Sequence, residues 1–346
     1  MRYLDVCIDA LGYELAPNVV STRDLEKRLL PLYKELHLQT GQLEALTGIR
    51  ERRFWDQGVC MADAATLAGQ KALAKGSVLP GDIGMLIYAG VCRDNLEPAT
   101  ACKVAYQLDI SPNAAIFDLS NACLGVLNGM LQVANAIALG QIKAGLVVST
   151  ESSRQIVEST IQRMLAKGDM ETFKECIATL TGGSGAVAVL LTHENYSSKG
   201  HRLLGGVMRN ATVHHGLCTW GPDSGIPAGM PLVMRTDSVG VLKHGVALGI
   251  ETFADFKQTL ELAAHEPDKI ICHQVGATHQ KTILDSLKID VKKDFVTYPY
   301  LGNIGTVSLP ITAAIAEERG FLKVGDLVGF FGIGSGLNCM MLGVRW

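Results

Sequence analysis

One cysteine of nine sits where a thiol can do chemistry. Cys123 lies in LSNACLGVLNG, where a strand ends near Leu119, a short turn follows and an apolar helix begins at about Cys123. A helix N-terminus presents unpaired N–H groups and positive potential, which lower a thiol pKa and stabilise thiolate. That setting makes Cys123 a candidate nucleophile, whereas the remaining cysteines read as small buried hydrophobes. His273 follows the apolar run KIIC and opens HQVGATHQ. A polar residue at the carboxyl end of a strand is where α/β enzymes keep site residues, although a hydrogen-bonded structural histidine fits the same position. Asn303 lies in YLGNIGTVSLP, a Gly-rich turn with Pro310 suited to the first turn of a following helix. Read alone, it is a left-handed turn residue. GIGSG at 332–336 is too near the C-terminus for a dinucleotide fingerprint and reads as a tight turn presenting backbone N–H groups. His273 and His279 stand six apart, and no HxxxH or HExxH spacing supports a metal.

These residues need elements to hold them. Met85–Ala89, Ala114–Phe117, Gly145–Ser149, Ala186–Leu191, Lys269–Cys272 and Leu327–Phe331 read as central strands. Helical patterns cover Met61–Lys75, Cys123–Leu139, Val246–Ala264 and Ser308–Glu318. Such alternation predicts an α/β fold with largely parallel sheets. GQIKAGLVV at 140–148 is echoed by GFLKVGDLV at 320–328, an offset of 320 − 140 = 180. The offset places Cys123 opposite Asn303, and a weaker echo pairs Met85–Ala89 with Lys269–Cys272. Together they predict a duplicated unit, with halves at residues 1–170 and 225–346. The segment 171–224, with TGGSG at 181–185 and Pro222, and Pro227 just beyond it, reads as a loop-rich connection.

Composition limits the function classes. Apolar residues make up 48% and charged residues 19%, which supports a large core and excludes intrinsic disorder. Lys plus Arg is 31 against 34 Asp plus Glu, so no basic excess points to nucleic acid or an anionic membrane. Met1–Asp9 reads as a first strand, because Asp5 and Asp9 fall where a secretory leader is apolar. The uncharged stretch between Asp118 and Lys143 is interrupted by Asn121, Asn128, Gln132, Asn135 and Gln141, and reads as a buried helix, not an integral membrane segment. Scattered cysteines without a CxxC pair predict a reducing, cytoplasmic setting without disulfides.

TGIRERR at 47–53, NACLG around Cys123, HQV at 273–275, GNIGTVSLP at 302–310 and GIGSGLN at 332–338 occur in order over essentially the whole chain. Jointly they resemble the thiolase superfamily, specifically β-ketoacyl-acyl-carrier-protein synthase III. RRFWDQ at 52–57, RDNLEPATA at 93–101 and HQVGATH at 273–279 are most similar to the head-to-head acyl-CoA condensing enzymes of bacterial long-chain olefin synthesis. The resemblance implies a five-layered αβαβα fold of two similar halves, a homodimer, and lipid or fatty-acid metabolism. It implies Cys123 as nucleophile, His273 and Asn303 as its partners, and an oxyanion hole from the backbone N–H groups of Cys123 and Ser335. Glu97, otherwise a loop acid before Pro98, then matches a base that reaches into the neighbouring subunit's site.

Two departures stand out. Where synthase III clamps the CoA adenine with a Trp and an Arg, this chain has Gln42 and Leu46. Where degradative thiolases carry a second catalytic Cys, it has Gly332, and Cys339 beyond it reads as core. The favoured function is non-decarboxylative Claisen condensation of two acyl-CoAs to a β-keto product, with no cofactor. The alternatives are a decarboxylative synthase III that uses malonyl-acyl carrier protein, and a non-catalytic acyl-binding subunit.

Overall fold

The computed structural model describes residues 1–222, 232–262 and 267–346. Pro227, the expected boundary at 224/225 and the expected helix end at Ala264 lie outside the described residues. Nine strands form one mixed sheet: β1 Val6–Leu15, β2 Ile83–Ala89, β3 Ala115–Leu119, β4 Ala144–Glu151, β5 Gly185–His193, β6 His201–Asn210, β7 Lys269–Cys272, β8 Leu327–Gly334 and β9 Asn338–Arg345. Their order is β7-β8-β9-β6-β1-β5-β4-β2-β3. The principal helices are α1 Met61–Lys75, α2 Thr100–Gln107, α3 Gly125–Ala138, α4 Arg154–Lys167, α5 Ser238–Thr259, α6 Ala277–Leu287 and α7 Ser308–Glu318.

The layers follow from which way successive side chains point. Along β4, Leu146 and Val148 pack with Ala65 and Ala68 of α1, whereas Val147 packs with Met130 and Ala134 of α3. Along β9, Met340 and Leu342 join the cluster holding α3 and α7, whereas Cys339 and Met341 join Phe253 and Phe256 of α5. Strands buried on both faces read as continuous apolar runs, as β5 (GAVAVLLTH) does. The stack is therefore α1 and α2, strands, α3 and α7, strands, then α5 and α6: the expected αβαβα arrangement.

The duplication shows in the strand order. β3-β2-β4-β5-β1 repeats as β7-β8-β9-β6, with parallel and antiparallel pairs in matching places. A lone parallel bridge, Ile270 to Asp294, stands where the second half's third strand would be. The halves join through two residue pairs of β1 and β6, Cys7–Arg202 and Ile8–His201. The turn Gly305–Val307 leads into α7, so residues 305–318 repeat the span of α3 at an offset of 180. The Val126 N–H donates to Thr306 Oγ1 at 2.8 Å, two equivalent positions in direct contact.

Two expectations are corrected. The first strand runs Val6–Leu15, not Met1–Asp9: before it Arg2 makes only an isolated antiparallel bridge to Gly205 of β6, and Leu4 is solvent-exposed. Asp9 is buried within that strand, where it accepts from the backbone N–H of Ser77 and Ser198 and the hydroxyls of Ser77, Ser197 and Ser198. Residues 171–224 are not a loop-rich connection, because they contain β5 and β6, two central strands. The strand order divides the repeat between His193 and His201.

Candidate active site

Cys123 sits in the turn between β3 and α3, two residues before the helix begins. Ala122 takes a left-handed conformation with φ 44°, and the Leu124 N–H closes the turn onto the Asn121 carbonyl at 2.9 Å. The GIGSG turn packs against it. A Cβ at Gly334 would stand 3.4 Å from the Cys123 backbone nitrogen.

This placement overturns the expected low thiol pKa. Burial pushes the Cys123 thiol up to about 12, with Cys218 and the Glu151 carboxylate adding in the same direction. A rise from 9.0 to about 12 is roughly 4 kcal/mol against thiolate, whereas a helix terminus offers at most ~2 kcal/mol. In the resting site, the desolvation cost outweighs the helix field.

Asn303 is gripped by the TGGSG segment. Its N–H donates to the Thr181 carbonyl and its carbonyl accepts from the Gly183 N–H, both at 2.9 Å. Gly183 is required there, since a Cβ would fall 2.1 Å from the Leu301 carbonyl oxygen. The Asn303 side-chain oxygen accepts from the Gly305 N–H at 3.1 Å, which leaves the Nδ2 amide as the donor.

His273 leaves β7 with its N–H on the Phe331 carbonyl of β8 at 2.9 Å. Its neighbours are tightly held. Gln274 donates to the Cys272 carbonyl at 2.7 Å and accepts from the Thr297 and Tyr298 N–H groups. Asp294 accepts from the Cys272 N–H at 3.2 Å. Burial pushes His273 down to about 4, aided by repulsion from His279, so the imidazole is neutral at pH 7.

A cavity of about 300 Å³ brings Cys123, Asn303 and Ser335 onto one wall. Residues from both halves of the chain meet there. His273, at the end of β7, is not among the residues lining this cavity, and Glu97 lies outside it on an exposed loop.

Residues 117–211 match the 3-oxoacyl-acyl-carrier-protein (ACP) synthase III family, and residues 258–346 match its C-terminal part. The acyl-CoA:acyl-CoA alkyltransferase of Shewanella oneidensis is 52% identical, and that of Xanthomonas campestris 37% identical, each over all of both chains. The chain belongs to the synthase III family of the thiolase superfamily. Cerulenin-bound Xanthomonas campestris OleA matches its structure with a TM-score of 0.94 at 37% identity, over 100% of this chain and 98% of that one. A cysteine-to-serine variant of that OleA with bound lauric acid and lauroyl-CoA matches at 0.92 and 36% identity, over 99% of this chain and all of that one.

Within this synthase III chain, Glu97 stands on a braced outpost. Asp94 accepts from the Met61 and Ala62 N–H groups at the start of α1, and Asp118 accepts from the Thr100 and Ala101 N–H groups at the start of α2, all within 3.0 Å. Between these anchors, Leu96 is 92% exposed and Glu97 points to solvent. Gln42 and Leu46 lie on the exposed short helix Gln42–Thr47. Cys339 is core, as expected.

Sequence reasoning missed three residues of the cavity wall. Glu151 ends β4, two residues past the expected strand end, and an acid at a strand's carboxyl end was the available signal. Thr179 Oγ1 and Trp220 Nε1 are buried in the same wall without a hydrogen-bond partner among the described residues. No sequence signal marks them, since orphaned donors are visible only in three dimensions. Among the described residues, no group of three His, Cys, Asp or Glu side chains could hold a metal, and no helix is long and apolar enough to cross a membrane.

Proposed function

We propose that this protein is a condensing enzyme that joins two acyl-CoA molecules into a β-keto product without decarboxylation. The observation that carries the reading is the convergence of Cys123, Asn303 and the GIGSG turn on one cavity. The relatives named acyl-CoA:acyl-CoA alkyltransferase, and the OleA structure with lauroyl-CoA, support acyl-CoA as the substrate class.

The first half-reaction is acyl transfer. Because the thiol is held high and the imidazole low, the resting pair is neutral. Attack therefore moves the Cys123 proton to His273 as the sulfur bonds to the acyl carbon. The N–H groups of Cys123 and Ser335 hold the oxyanion, and CoA leaves as the thiol with the proton returned from His273. In the second half-reaction Glu97 removes an α-proton from a second acyl-CoA. His273 and the Asn303 Nδ2 amide hydrogen-bond the enolate oxygen. Its carbon attacks the acyl group, and Cys123 is released. No cofactor enters this scheme.

Glu97 lies away from its own cavity, so its role requires a second subunit. Strand β3 is one outer edge of the sheet, with Phe117 36% exposed, and it packs against helix α2, which carries exposed Tyr106. An unpaired apolar strand edge favours pairing with another copy. We therefore read the protein as a homodimer, working in the cytoplasm on fatty acyl groups. The test is incubation with lauroyl-CoA alone. A β-keto condensation product and free CoA are expected. A strict requirement for a malonyl donor, with carbon dioxide released in step with product, overturns the reading.

A further inference from the structure

The cavity wall holds a second carboxyl group that this scheme leaves idle. Glu151 is 4% exposed and shares the cavity with Cys123 and Asn303. Its Oε1 accepts from the Val91 N–H at 3.0 Å and its Oε2 from the Cys92 N–H at 3.4 Å. Its partners are these backbone groups and the Cys92 thiol, and none is a cation. The adjacent arginine, Arg154, directs its Nε to the Trp55 carbonyl at 2.6 Å instead. On the opposite side, a Cβ at Gly305 would stand 3.2 Å from Glu151 Cγ. The carboxyl is thus wedged between the loop leading to Glu97 and the turn carrying Asn303.

Its titratable neighbours come from each element packed around it. Tyr88 and Cys92 face it from β2 and the following loop, Asp94 lies beyond them, Cys123 faces it from the turn before α3, and Cys218 lies across the cavity. Burial holds Tyr88 and Cys92 protonated well above their ordinary values and Cys123 up to about 12. His273 stays neutral down to about 4. Burial also pushes Glu151 up to about 7, so its charge changes near neutrality while Tyr88, Cys92 and Cys123 stay protonated and His273 neutral. A carboxylate at this place opposes a second anion on Cys123 and on the oxyanion that follows.

Resting on the acyl-transfer reading above, we infer that Glu151 is a positioning residue that gates acylation by its charge. Its neutral acid permits attack by Cys123, and its carboxylate suppresses it. The test measures the rate of acyl-Cys123 formation from lauroyl-CoA by intact-protein mass between pH 5.5 and 8.5. The wild-type rate should fall several-fold as pH rises through about 7, where Glu151 gains its charge. Glu151→Gln keeps an acceptor for the Val91 N–H but cannot ionise, and its profile should be flat. Superimposable wild-type and variant profiles overturn the inference. If the variant fails to fold, the wild-type decides alone, since a flat wild-type profile also overturns it. A wild-type protein that forms no adduct at any pH removes the proposed function as well, whereas an adduct with a flat profile removes only the gate.

Discussion

The turns that precede α3 and α7 are the same place in two copies of one fold, and they carry different chemistry. The first follows a strand, Ala115–Leu119, and the second a short helix, Tyr298–Leu301; each enters a central helix and stands 180 residues from the other, and Val126 and Thr306 still touch across the join. One presents a thiol, Cys123, and the other an amide, Asn303. The first is closed by the left-handed Ala122, the second by Gly302 and Gly305, with φ 71° and 60°. The outer edges differ too. The first half keeps β3 as a full strand, whereas the second retains only the bridge from Ile270 to Asp294. Duplication thus supplies two facing helix starts around one cavity. The two starts now differ in what they present to it, a thiol in the first half and an amide in the second.

The comparison breaks most completely at the thiol. Cys123→Ala should abolish both acyl adduct and product, whereas Cys60→Ala and Cys339→Ala should keep the adduct. Peptide mass mapping of the acyl group to any other cysteine would contradict the assignment. The next largest effect falls on the first half's outer loop. Glu97→Gln should still form acyl-Cys123 but lose ~10²–10⁴-fold in condensation, the usual worth of a positioned base. Mixing it with Cys123→Ala should recover activity if subunits exchange, and no recovery in an exchanged dimer argues against a shared site.

A smaller effect probes how the second half's turn is held. In Gly183→Ala the new methyl collides with the Leu301 carbonyl, so stability should fall by ~1–3 kcal/mol in denaturant titration. Gly81→Ala, with open space around it, should change stability by less than ~0.5 kcal/mol. The gentlest probe is pH. Burial raises Asp294, beneath the His273 strand end, to about 7 from 3.8. A raised carboxyl contributes its stability below its unfolded pKa and loses it as pH climbs through the folded one. Melting temperature should therefore decline between about pH 4 and 7, and Asp294→Asn should make that decline shallower, with the raised Glu151 carrying the rest. An identical slope in the variant would remove Asp294 as its cause.

Much of this contrast was legible in the sequence where local pattern and tertiary role agree. The strand Lys269–Cys272 and the helices Met61–Lys75 and Ser308–Glu318 stand where periodicity put them. The 180-residue echo located the Val126–Thr306 contact without naming it. Elsewhere distant partners override local signals. Asp9 looks like the end of a strand, yet serines far along the chain satisfy it in the strand's middle. TGGSG looks like a linker, but its glycines allow the backbone to close on Asn303, between two central strands. The thiol environment of Cys123 was misjudged for the same reason. A helix start is visible in sequence, whereas the burial that dominates it, and the charges of Cys218 and Glu151 that add to it, come from residues remote in the chain.

The central claim is that the two turns serve successive half-reactions, and Asn303→Ala tests it most directly. The variant is mixed with lauroyl-CoA, quenched and measured by intact-protein mass alongside product. The account predicts that acyl-Cys123 accumulates while condensation drops by ~10²–10³-fold, the cost of one lost oxyanion donor. A folded variant that fails to acylate Cys123, or one that condenses at the wild-type rate, would contradict the division of labour between the two halves.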